Sequence, residues 1–388
     1  MIIPLANRLQ KVEEYYFSKK LEQIAQMRAS GIDVINLGIG SPDLAPDKKV
    51  IKAAINSLEK KTTHGYSTHR SLPELRLAIA KWQKNTYHVD LNPNDEILPL
   101  LGSKEGILYL SMAFLNSGDG VLVPNPGYPT YTSAANLLNA KIIPYDLKAS
   151  NSWMPDLDAL EKMDLSQCKL MWVNYPHMPT GQKANSEFFK KLVEFAKKKK
   201  ILICNDNPYG MILNETSPIS ILSFDPEKLV TCELNSLSKS FNMAGWRVGA
   251  FMGSKDLVDA VIKVKSNVDS GMFSAIQAGA IEALSVDEKW HEERNEIYKK
   301  RRAHIWEIFD LLGFSYSKEQ VGLFIWAEAP QNIPSVVDFL DNVLKEAHVF
   351  LTPGMIFGSN GNNYARASLC ASEETLEKAK KRIKEFCR

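Results

Sequence analysis

The run Lys200-Ile201-Leu202-Ile203-Cys204-Asn205, followed at once by Asp206-Asn207-Pro208-Tyr209, decides the fold. The first six residues are apolar on both faces, which is typical of a central strand in a parallel sheet covered by helices. Pro208 marks the turn that follows the strand. We therefore expect a strand over residues 200–205 that places Asp206 at the edge of a sheet.

Four similar runs occur between about residue 95 and residue 260, and helix-patterned segments separate them. One intervening helix is clear, because Asn185 and Ser186 are capping residues and the lysines at 197–200 suit the negative end of a helix dipole. The alternation predicts an α/β fold with a mostly parallel central sheet covered by helices. The four runs, all expected to be central strands, are Gly120–Pro124, Ala140–Pro144, Lys169–Asn174 and Leu229–Cys232.

The two ends of the chain carry a different pattern. Apolar residues from Leu9 to Met27 recur at helical spacing up to Gly31, and a second long helical pattern over 290–312 stops at Gly313. A strand-like run over 322–327 then opens a mixed α/β tail. We expect both ends to build a smaller mixed α/β domain. The predicted division is an N-terminal arm with part of the small domain over 1–45, a large domain over 46–280 and a small C-terminal domain over 281–388.

Composition excludes several classes of function. The 388 residues are 45% hydrophobic and 24% charged, with a formal net charge of +2, so no strong field favours nucleic acid or a membrane surface. The uncharged apolar run Ile107–Leu115 is far shorter than the ~20 residues that cross a bilayer. The first residues lack the apolar region of a secretory signal, which favours a cytoplasmic protein. The five cysteines form no CxxC pair, so we predict no metal site.

A lysine among hydroxyls marks the chemistry. Ser236, Ser238 and Lys239 follow the last predicted strand, and Arg247 comes eight residues after the lysine. Burial would lower the pKa of a lysine and free its amine for Schiff-base chemistry, while hydroxyls and an arginine suit a phosphate. Taken alone, this short motif also fits a structural turn.

The longer segment Asn235–Gly249 resembles the lysine signature of the pyridoxal-phosphate-dependent aminotransferases of class I/II, which have the aspartate aminotransferase fold. Ser-x-Ser-Lys and Gly-Trp-Arg-x-Gly both match. The resemblance extends over nearly the whole chain, and some strings are similar to the diaminopimelate branch. The other matching landmarks, in order, are Leu37–Asp43, Gly65–Ser67, Pro73–Arg76, Gly102–Gly106, Pro124–Pro129, Pro179–Gly181, Asp206–Tyr209 and Tyr364–Arg366.

The resemblance implies roles around a pyridoxal 5′-phosphate cofactor in the large domain. Lys239 would bear the cofactor covalently and act as the catalytic base. Asp206 would face the pyridine nitrogen and keep the ring an electron sink, and Tyr209 would donate to the ring oxygen. Without the family pattern, Asp206 would be a turn residue and Tyr209 a core tyrosine.

The same resemblance assigns the rest of the cofactor site. Tyr128 would stack on the ring, and Tyr66 would reach the phosphate bound by the other subunit, which implies a homodimer with shared active sites. The alternative for Tyr128 is loop packing, and the alternative for Ser103 is an ordinary helix cap. The predicted phosphate cradle consists of Ser103, Lys104, Ser236, Ser238 and Arg247.

For the substrate, the resemblance places Arg366 on the α-carboxylate and the backbone of Ile39 and Gly40 against the bound molecule. Two departures matter. Met178 stands where the family string has an Asn that bonds the cofactor's ring oxygen, and nothing in the sequence shows what replaces it. The stretch Asn267–Ser274 carries no Arg, whereas dicarboxylate-specific relatives have one there, so an acidic amino acid is not the expected substrate.

The predicted function is transamination between an amino acid and a 2-oxo acid. Two alternatives stay open on the sequence alone. A carbon–sulfur β-lyase would use the same carbanion chemistry, and a non-catalytic module would bind the cofactor without turnover. The physiological pair of substrates is not predicted.

Overall fold

A computed structural model of the chain describes residues 3–11 and 16–388. Within that part of the chain, strands and helices alternate along most of the sequence. The strands are β1 Ile35–Asn36, β2 Ile97–Leu100, β3 Gly120–Asn125, β4 Lys141–Asp146, β5 Cys168–Val173, β6 Leu202–Asn207, β7 Thr231–Ser236, β8 Gly249–Met252, β9 Ser315–Tyr316, β10 Phe324–Glu328, β11 Val349–Phe350, β12 Thr352–Pro353 and β13 Tyr364–Ser368.

The helices cover the sheets, and short 3-10 turns link several of them. The α-helices are α1 Tyr16–Ala29, α2 Lys48–Leu58, α3 Pro73–Tyr87, α4 Ser103–Phe114, α5 Pro129–Leu137, α6 Leu157–Glu161, α7 Ser186–Lys199, α8 Leu237–Ser240, α9 Lys255–Lys265, α10 Ser274–Ala283, α11 Glu288–Leu311, α12 Val336–Asn342 and α13 Glu373–Phe386. None of the helices formed by residues 3–11 and 16–388 is both long and apolar enough to cross a membrane.

The main sheet has seven strands in the order β2-β8-β7-β6-β5-β3-β4. Neighbours from β7 to β4 are parallel, and β8 is antiparallel to both β7 and β2. The prediction of an α/β fold with a mostly parallel central sheet is therefore confirmed. Apolar clusters cover both faces of this sheet, with Met171 and Ile203 on one side and Trp172 and Cys204 on the other.

The strands differ in how deeply they lie. β6 and β7 are buried along their whole length, which explains their continuous apolar runs. The expectation that the run at 140–144 is a central strand is wrong, because β4 lies at the edge of the sheet. Its end residues Lys141 and Asp146 are exposed, as suits a strand with one neighbour.

Several predicted helix ends are confirmed. Asn185 caps α7, since its side-chain oxygen accepts from the Phe188 amide at 2.7 Å. The long helix α11 ends at Leu311, and Gly313 turns the chain at a φ of +77°. The first predicted helix differs: Leu9 lies in a 3-10 turn, α1 begins only at Tyr16, and residues 12–15 lie outside the described part of the chain.

A smaller sheet packs against the first. β12, β13, β10 and β9 form it in antiparallel order, and nearby β1 pairs with β11 in parallel, so residues from both ends of the chain share one core. The strand expected over 322–327 is confirmed as β10. The division into 1–45, 46–280 and 281–388 stays a prediction, and its second boundary falls within α10.

The topology brings remote residues to one place. β5, β6 and β7 are parallel neighbours, so the loops after their carboxyl ends lie side by side. The segment after β1 reaches the same edge and is held by β13, because the Ser368 amide donates to the Leu37 carbonyl at 2.7 Å. The two sheets therefore meet where the predicted motifs lie.

A buried carboxyl ties the middle of the main sheet together. Glu233 of β7 is fully buried, and Asn205, Asn207 and Ser220 donate side-chain hydrogen bonds to it at 3.0 to 3.4 Å. The backbone amide of Ile221 donates a fourth at 3.2 Å. Burial raises the pKa of Glu233 to about 7, and these hydrogen bonds oppose that shift.

Replacing Glu233 by Ala should destabilise the fold. The four donors would stay buried without their acceptor, so we expect a loss of about 3 kcal/mol in the free energy of unfolding at pH 6. Urea denaturation measures it. Glu227→Ala is the matched control, because Glu227 is exposed nearby. Equal stability of the two variants would show that the network adds nothing.

Candidate active site

A cavity of about 390 Å³ opens at the carboxyl edge of the main sheet, where the smaller sheet meets it. Every predicted site residue lines it except Tyr66, whose residue surface is 94% exposed. The residues thus gathered are Ile39, Gly40, Ser103, Lys104, Tyr128, Asp206, Tyr209, Ser236, Ser238, Lys239, Arg247 and Arg366.

Lys239 lies on the short helix α8, directly after β7. Ser236 caps this helix, since its hydroxyl accepts from the Ser238 amide at 3.2 Å. The amine of Lys239 donates to the Gly40 carbonyl. Burial lowers the pKa of Lys239, and the nearby arginines Arg366 and Arg247 lower it further. An amine with a lowered pKa gives up its proton more readily than the amine of an exposed lysine.

Asp206 enters the cavity from β6. Its Oδ2 accepts from the Tyr131 hydroxyl at 2.9 Å, whereas Oδ1 has no hydrogen-bond partner among the described residues. Burial raises the pKa of Asp206 to about 6, although the Tyr131 hydrogen bond lowers it. A buried carboxyl with one unpaired oxygen is suited to a cationic N–H group.

An anion cradle lies on the other side of the cavity. Helix α4 begins at Ser103 after Gly102, which has a φ of +88°. A Cβ atom at Gly102 would overlap the guanidinium of Arg247, so glycine is required there. Arg247 donates to the Ser238 hydroxyl at 3.3 Å, and its charge together with burial lowers the pKa of Lys104. Helix-start amides, hydroxyls and two cations together suit a phosphate.

Arg366 of β13 lies at the opposite end of the cavity. Its guanidinium carbon lies 3.9 Å from the ring centre of Phe324 and 4.6 Å from that of Phe357. Nη2 donates to the Gly38 carbonyl at 2.8 Å, and Nη1 lies 3.2 Å from the sulfur of Met178. Stacked rings and a backbone oxygen thus fix the orientation of a buried guanidinium.

The loop that carries Ile39 and Gly40 is shaped by its own residues. The side-chain oxygen of Asn36 accepts from the amides of Gly38 and Ile39, at 3.0 and 3.2 Å. A Cβ atom at Gly40 would overlap the ring of Phe324. The loop can therefore bring its backbone close to the cavity only with glycine at position 40.

Aromatic rings form two walls of the cavity. Tyr128 precedes α5 and packs edge to face on Tyr131, with 5.7 Å between ring centres. Tyr209 packs edge to face on Phe324 at 5.9 Å. Burial raises the pKa of both Tyr128 and Tyr209, so both phenols stay protonated donors.

Sequence reasoning missed two residues. Tyr131 holds Asp206, and Asn174 lines the cavity, donates to the Asp206 carbonyl and accepts from the Met178 amide at 2.8 Å. Tyr131 follows Tyr128 by three residues, one turn of α5, and this spacing was the available signal.

Met178 does face the cavity, whereas His177 is buried outside it, with Nδ1 2.8 Å from the hydroxyl oxygen of Thr180.

The charges of the cavity are unbalanced. Of the described residues that line it, four carry cations and only Asp206 is an acid. The cations are Lys104, Lys239, Arg247 and Arg366. Such a site suits a ligand with a phosphate at one end, a carboxylate at the other and a basic aromatic nitrogen beside Asp206. The residues present therefore fit a pyridine cofactor that carries a phosphate.

The chain belongs to the family described as aminotransferase class I and II, whose model matches residues 32–383. An LL-diaminopimelate aminotransferase of Halothermothrix orenii is 38% identical over 380 residues, which cover 98% of this chain and 97% of the relative. Apo-BacF of Bacillus subtilis superposes with a TM-score of 0.95 at 35% identity, covering 100% of this chain and 99% of that one. A Thermus thermophilus aspartate aminotransferase mutant gives 0.91 at 25% identity, covering 99% and 100%.

These findings confirm that the protein is an aminotransferase of the aspartate aminotransferase fold. The family implies pyridoxal phosphate as cofactor. Of the activities that the sequence left open, the findings favour transamination over β-elimination and over cofactor binding without turnover.

Replacing Asp206 by Asn should stabilise the protein without cofactor at alkaline pH. The folded carboxyl has a raised pKa, so stability is lost as pH rises from about 4 through 6, and Asn removes that loss. We expect a gain on the order of 3 kcal/mol at pH 8 and little difference at pH 4. Thermal unfolding of the cofactor-free proteins measures both.

The same variant should bind pyridoxal phosphate more weakly, because Asn cannot present a negative charge. Asp158→Asn is the control, since Asp158 is exposed on α6 and lies outside the cavity. If the wild type and Asp206→Asn show the same dependence of thermal stability on pH, burial does not raise the pKa of Asp206.

Proposed function

We propose that this aminotransferase binds pyridoxal 5′-phosphate in the cavity and that Lys239 is its catalytic residue. The observation that carries the proposal is the placement of three features around one space. They are the buried amine of Lys239, the unpaired buried oxygen of Asp206 and the cationic cradle at Ser103 and Arg247.

The cofactor, when bound, supplies an aldehyde that condenses with amines and a ring that accepts the electrons released at the substrate Cα. Asp206 would hold a proton on the ring nitrogen through Oδ1. The hydroxyls of Ser236 and Ser238, with Arg247, would hold the phosphate. Tyr128 and Tyr209 would hold the ring. Nζ of Lys239, whose pKa is lowered by burial, would take the Cα proton.

The substrates are an amino acid and a 2-oxo acid. Arg366 would hold the α-carboxylate with two parallel hydrogen bonds, because stacking fixes the plane of its guanidinium. The backbone of Ile39 and Gly40 would lie against the bound substrate. The curated relatives act on LL-diaminopimelate by name, which makes that amino acid one donor to test.

The active unit would be a homodimer with shared sites. Tyr66 does not line the cavity of its own chain, and it lies exposed a few residues after α2, which carries an apolar stripe. Ile51, Ile55 and Leu58 of that stripe are each more than one third exposed, and Phe273 nearby is 40% exposed. We propose that a second copy covers this surface and receives Tyr66. A cytoplasmic location also stays a prediction.

Replacing Lys239 by Ala should abolish transamination and covalent attachment of the cofactor. After borohydride treatment of the wild type, peptide mass spectrometry should find the cofactor on the peptide that contains Lys239. The variant should show none, while its far-ultraviolet circular dichroism stays unchanged because the role of the lysine is chemical.

Lys104→Ala provides the control for that experiment, because Lys104 lines the same cavity. It should bind cofactor more weakly yet still yield the labelled Lys239 peptide. Attachment at any other lysine, or full activity of Lys239→Ala, would refute the assignment.

Mixing two inactive variants should restore activity if the sites are shared. A hybrid of Tyr66→Ala and Lys239→Ala subunits has one site with both native residues and one with neither. Because random exchange makes half of the dimers hybrids, we expect roughly a quarter of wild-type activity at limiting cofactor. A coupled assay after unfolding and refolding the mixture measures it.

The double variant Tyr66→Ala, Lys239→Ala mixed with wild type is the matched control, since its hybrids contain no complete site. Activity there should fall below the value expected from simple dilution. Failure of the two single variants to complement each other, or an active monomer in sedimentation, would rule out the shared site.

A further inference from the structure

We infer that the amino acid donor carries an uncharged, apolar side chain and that Leu21 and Ile39 select it. This inference rests on the proposed function, and it adds the class of side chain that the cavity accepts. It follows from what remains of the cavity wall once the charged residues have been assigned.

Every charged residue that the structure describes along the wall already has a partner in the proposed complex. Lys104 and Arg247 lie at the phosphate cradle, Asp206 faces the ring nitrogen and Lys239 is the reactive amine. Arg366 would be engaged by the α-carboxylate. No further cation or acid of the described lining is left for a charged group on the substrate side chain.

Apart from the hydroxyl of Ser18 and the amide of Asn174, the uncommitted part of the described wall is apolar. Leu21 of α1 and Ile39 line the same cavity as Arg366, together with Phe324 and Phe357, whose rings stack on its guanidinium. Met178 adds a thioether at 3.2 Å from the same guanidinium. A side chain that extends from an α-carboxylate on Arg366 would therefore lie against hydrocarbon and aromatic surface.

Leu21 is suited to selection because it lies at the rim. Its residue surface is 43% exposed, so a bound apolar side chain would cover hydrocarbon that water now contacts. Ile39 is held in place by the hydrogen bond from its amide to Asn36 at 3.2 Å. Leu21 thus provides exposed hydrocarbon that the substrate would bury, and Ile39 provides a wall whose position is fixed.

The 267–273 loop would not supply the missing charge if the neighbouring subunit brings it to the site. The loop at 267–273 lies beside Tyr66, since a Cβ atom at Gly271 would meet the carbonyls of Ser67 and Thr68. That loop contains neither Lys nor Arg. The nearby cation Lys265 is paired with Asp269 at 2.6 Å, and Arg70 is paired with Asp259 at 2.6 Å.

Along the described lining, a charged side chain would therefore lose hydration without gaining an ion pair. Aspartate would place a second carboxylate against aromatic rings. LL-diaminopimelate would place both an ammonium and a carboxylate there. Leucine, methionine and phenylalanine would instead bury apolar surface.

The test uses the intact protein loaded with pyridoxal phosphate and one donor at a time. Loss of the bound cofactor's visible absorbance follows a single half-reaction, so no 2-oxo acid acceptor complicates the comparison. We expect the second-order rate constants for leucine, methionine or phenylalanine to exceed those for aspartate and LL-diaminopimelate by at least about tenfold.

A pair of variants tests whether Leu21 determines which donor is preferred. Leu21→Lys should raise the rate constant for aspartate and lower that for leucine, shifting their ratio by about tenfold, because the new ammonium faces the substrate side chain. Leu5→Lys is the matched control, since Leu5 is an exposed leucine of the N-terminal segment that does not line the cavity. Its ratio should equal that of the wild type.

The outcomes separate the two proposals. Faster reaction with aspartate or LL-diaminopimelate than with all three apolar donors would overturn the inference and leave the proposed function standing. If Leu21→Lys leaves the ratio of the aspartate and leucine rate constants unchanged, Leu21 does not determine donor preference. No reaction with any amino acid would overturn the proposed function and the inference with it.

Discussion

The excess of positive charge in one cavity is the constraint on which the rest of the site depends. Four cations face one carboxylic acid there, and burial already lowers the pKa of two of them, Lys104 and Lys239. The protein can hold so many like charges together only because each guanidinium is pinned by neutral partners. Arg247 is held by a hydroxyl and a carbonyl, and Arg366 by two rings and a carbonyl. Anionic ligands would then complete the balance.

The main sheet makes this concentration of charge possible. Parallel strands bring their carboxyl ends and following loops to one edge, so Asp206 near the end of β6 and Lys239 after β7 line one cavity although 33 positions separate them in the chain. The smaller sheet closes the other side with Arg366. Glu233 lies within the same strands, next to Leu234, the register partner of Asp206, and its four hydrogen bonds hold the strand ends in place.

Sequence reasoning reached the gathered site because its residues lie in short contiguous motifs whose chemistry is local. It failed where tertiary context decides. The run at 140–144 is apolar enough to suggest a central strand, and only the position of β4 at the edge of the sheet explains its exposed ends. Tyr131 and Asn174 escaped notice because their roles exist only through contact with Asp206. Likewise, nothing in the pattern around Leu21 shows that α1 reaches the cavity rim.

The residues proposed to bind the cofactor and the residue proposed to contact the donor side chain lie on different elements of the fold. This separation affects how such enzymes diverge. The residues proposed to bind the cofactor lie at the ends of the main-sheet strands or in the segments that follow them, whereas Leu21 lies on the N-terminal helix α1 and is partly exposed. If Leu21 selects the donor as proposed, a change in that helix would alter which amino acid the enzyme accepts while the residues around Lys239 stay the same. Donor preference can therefore change between relatives of the same fold through substitutions at exposed positions. Two relatives that share a reaction and much of their sequence can then still differ in the amino acid they use.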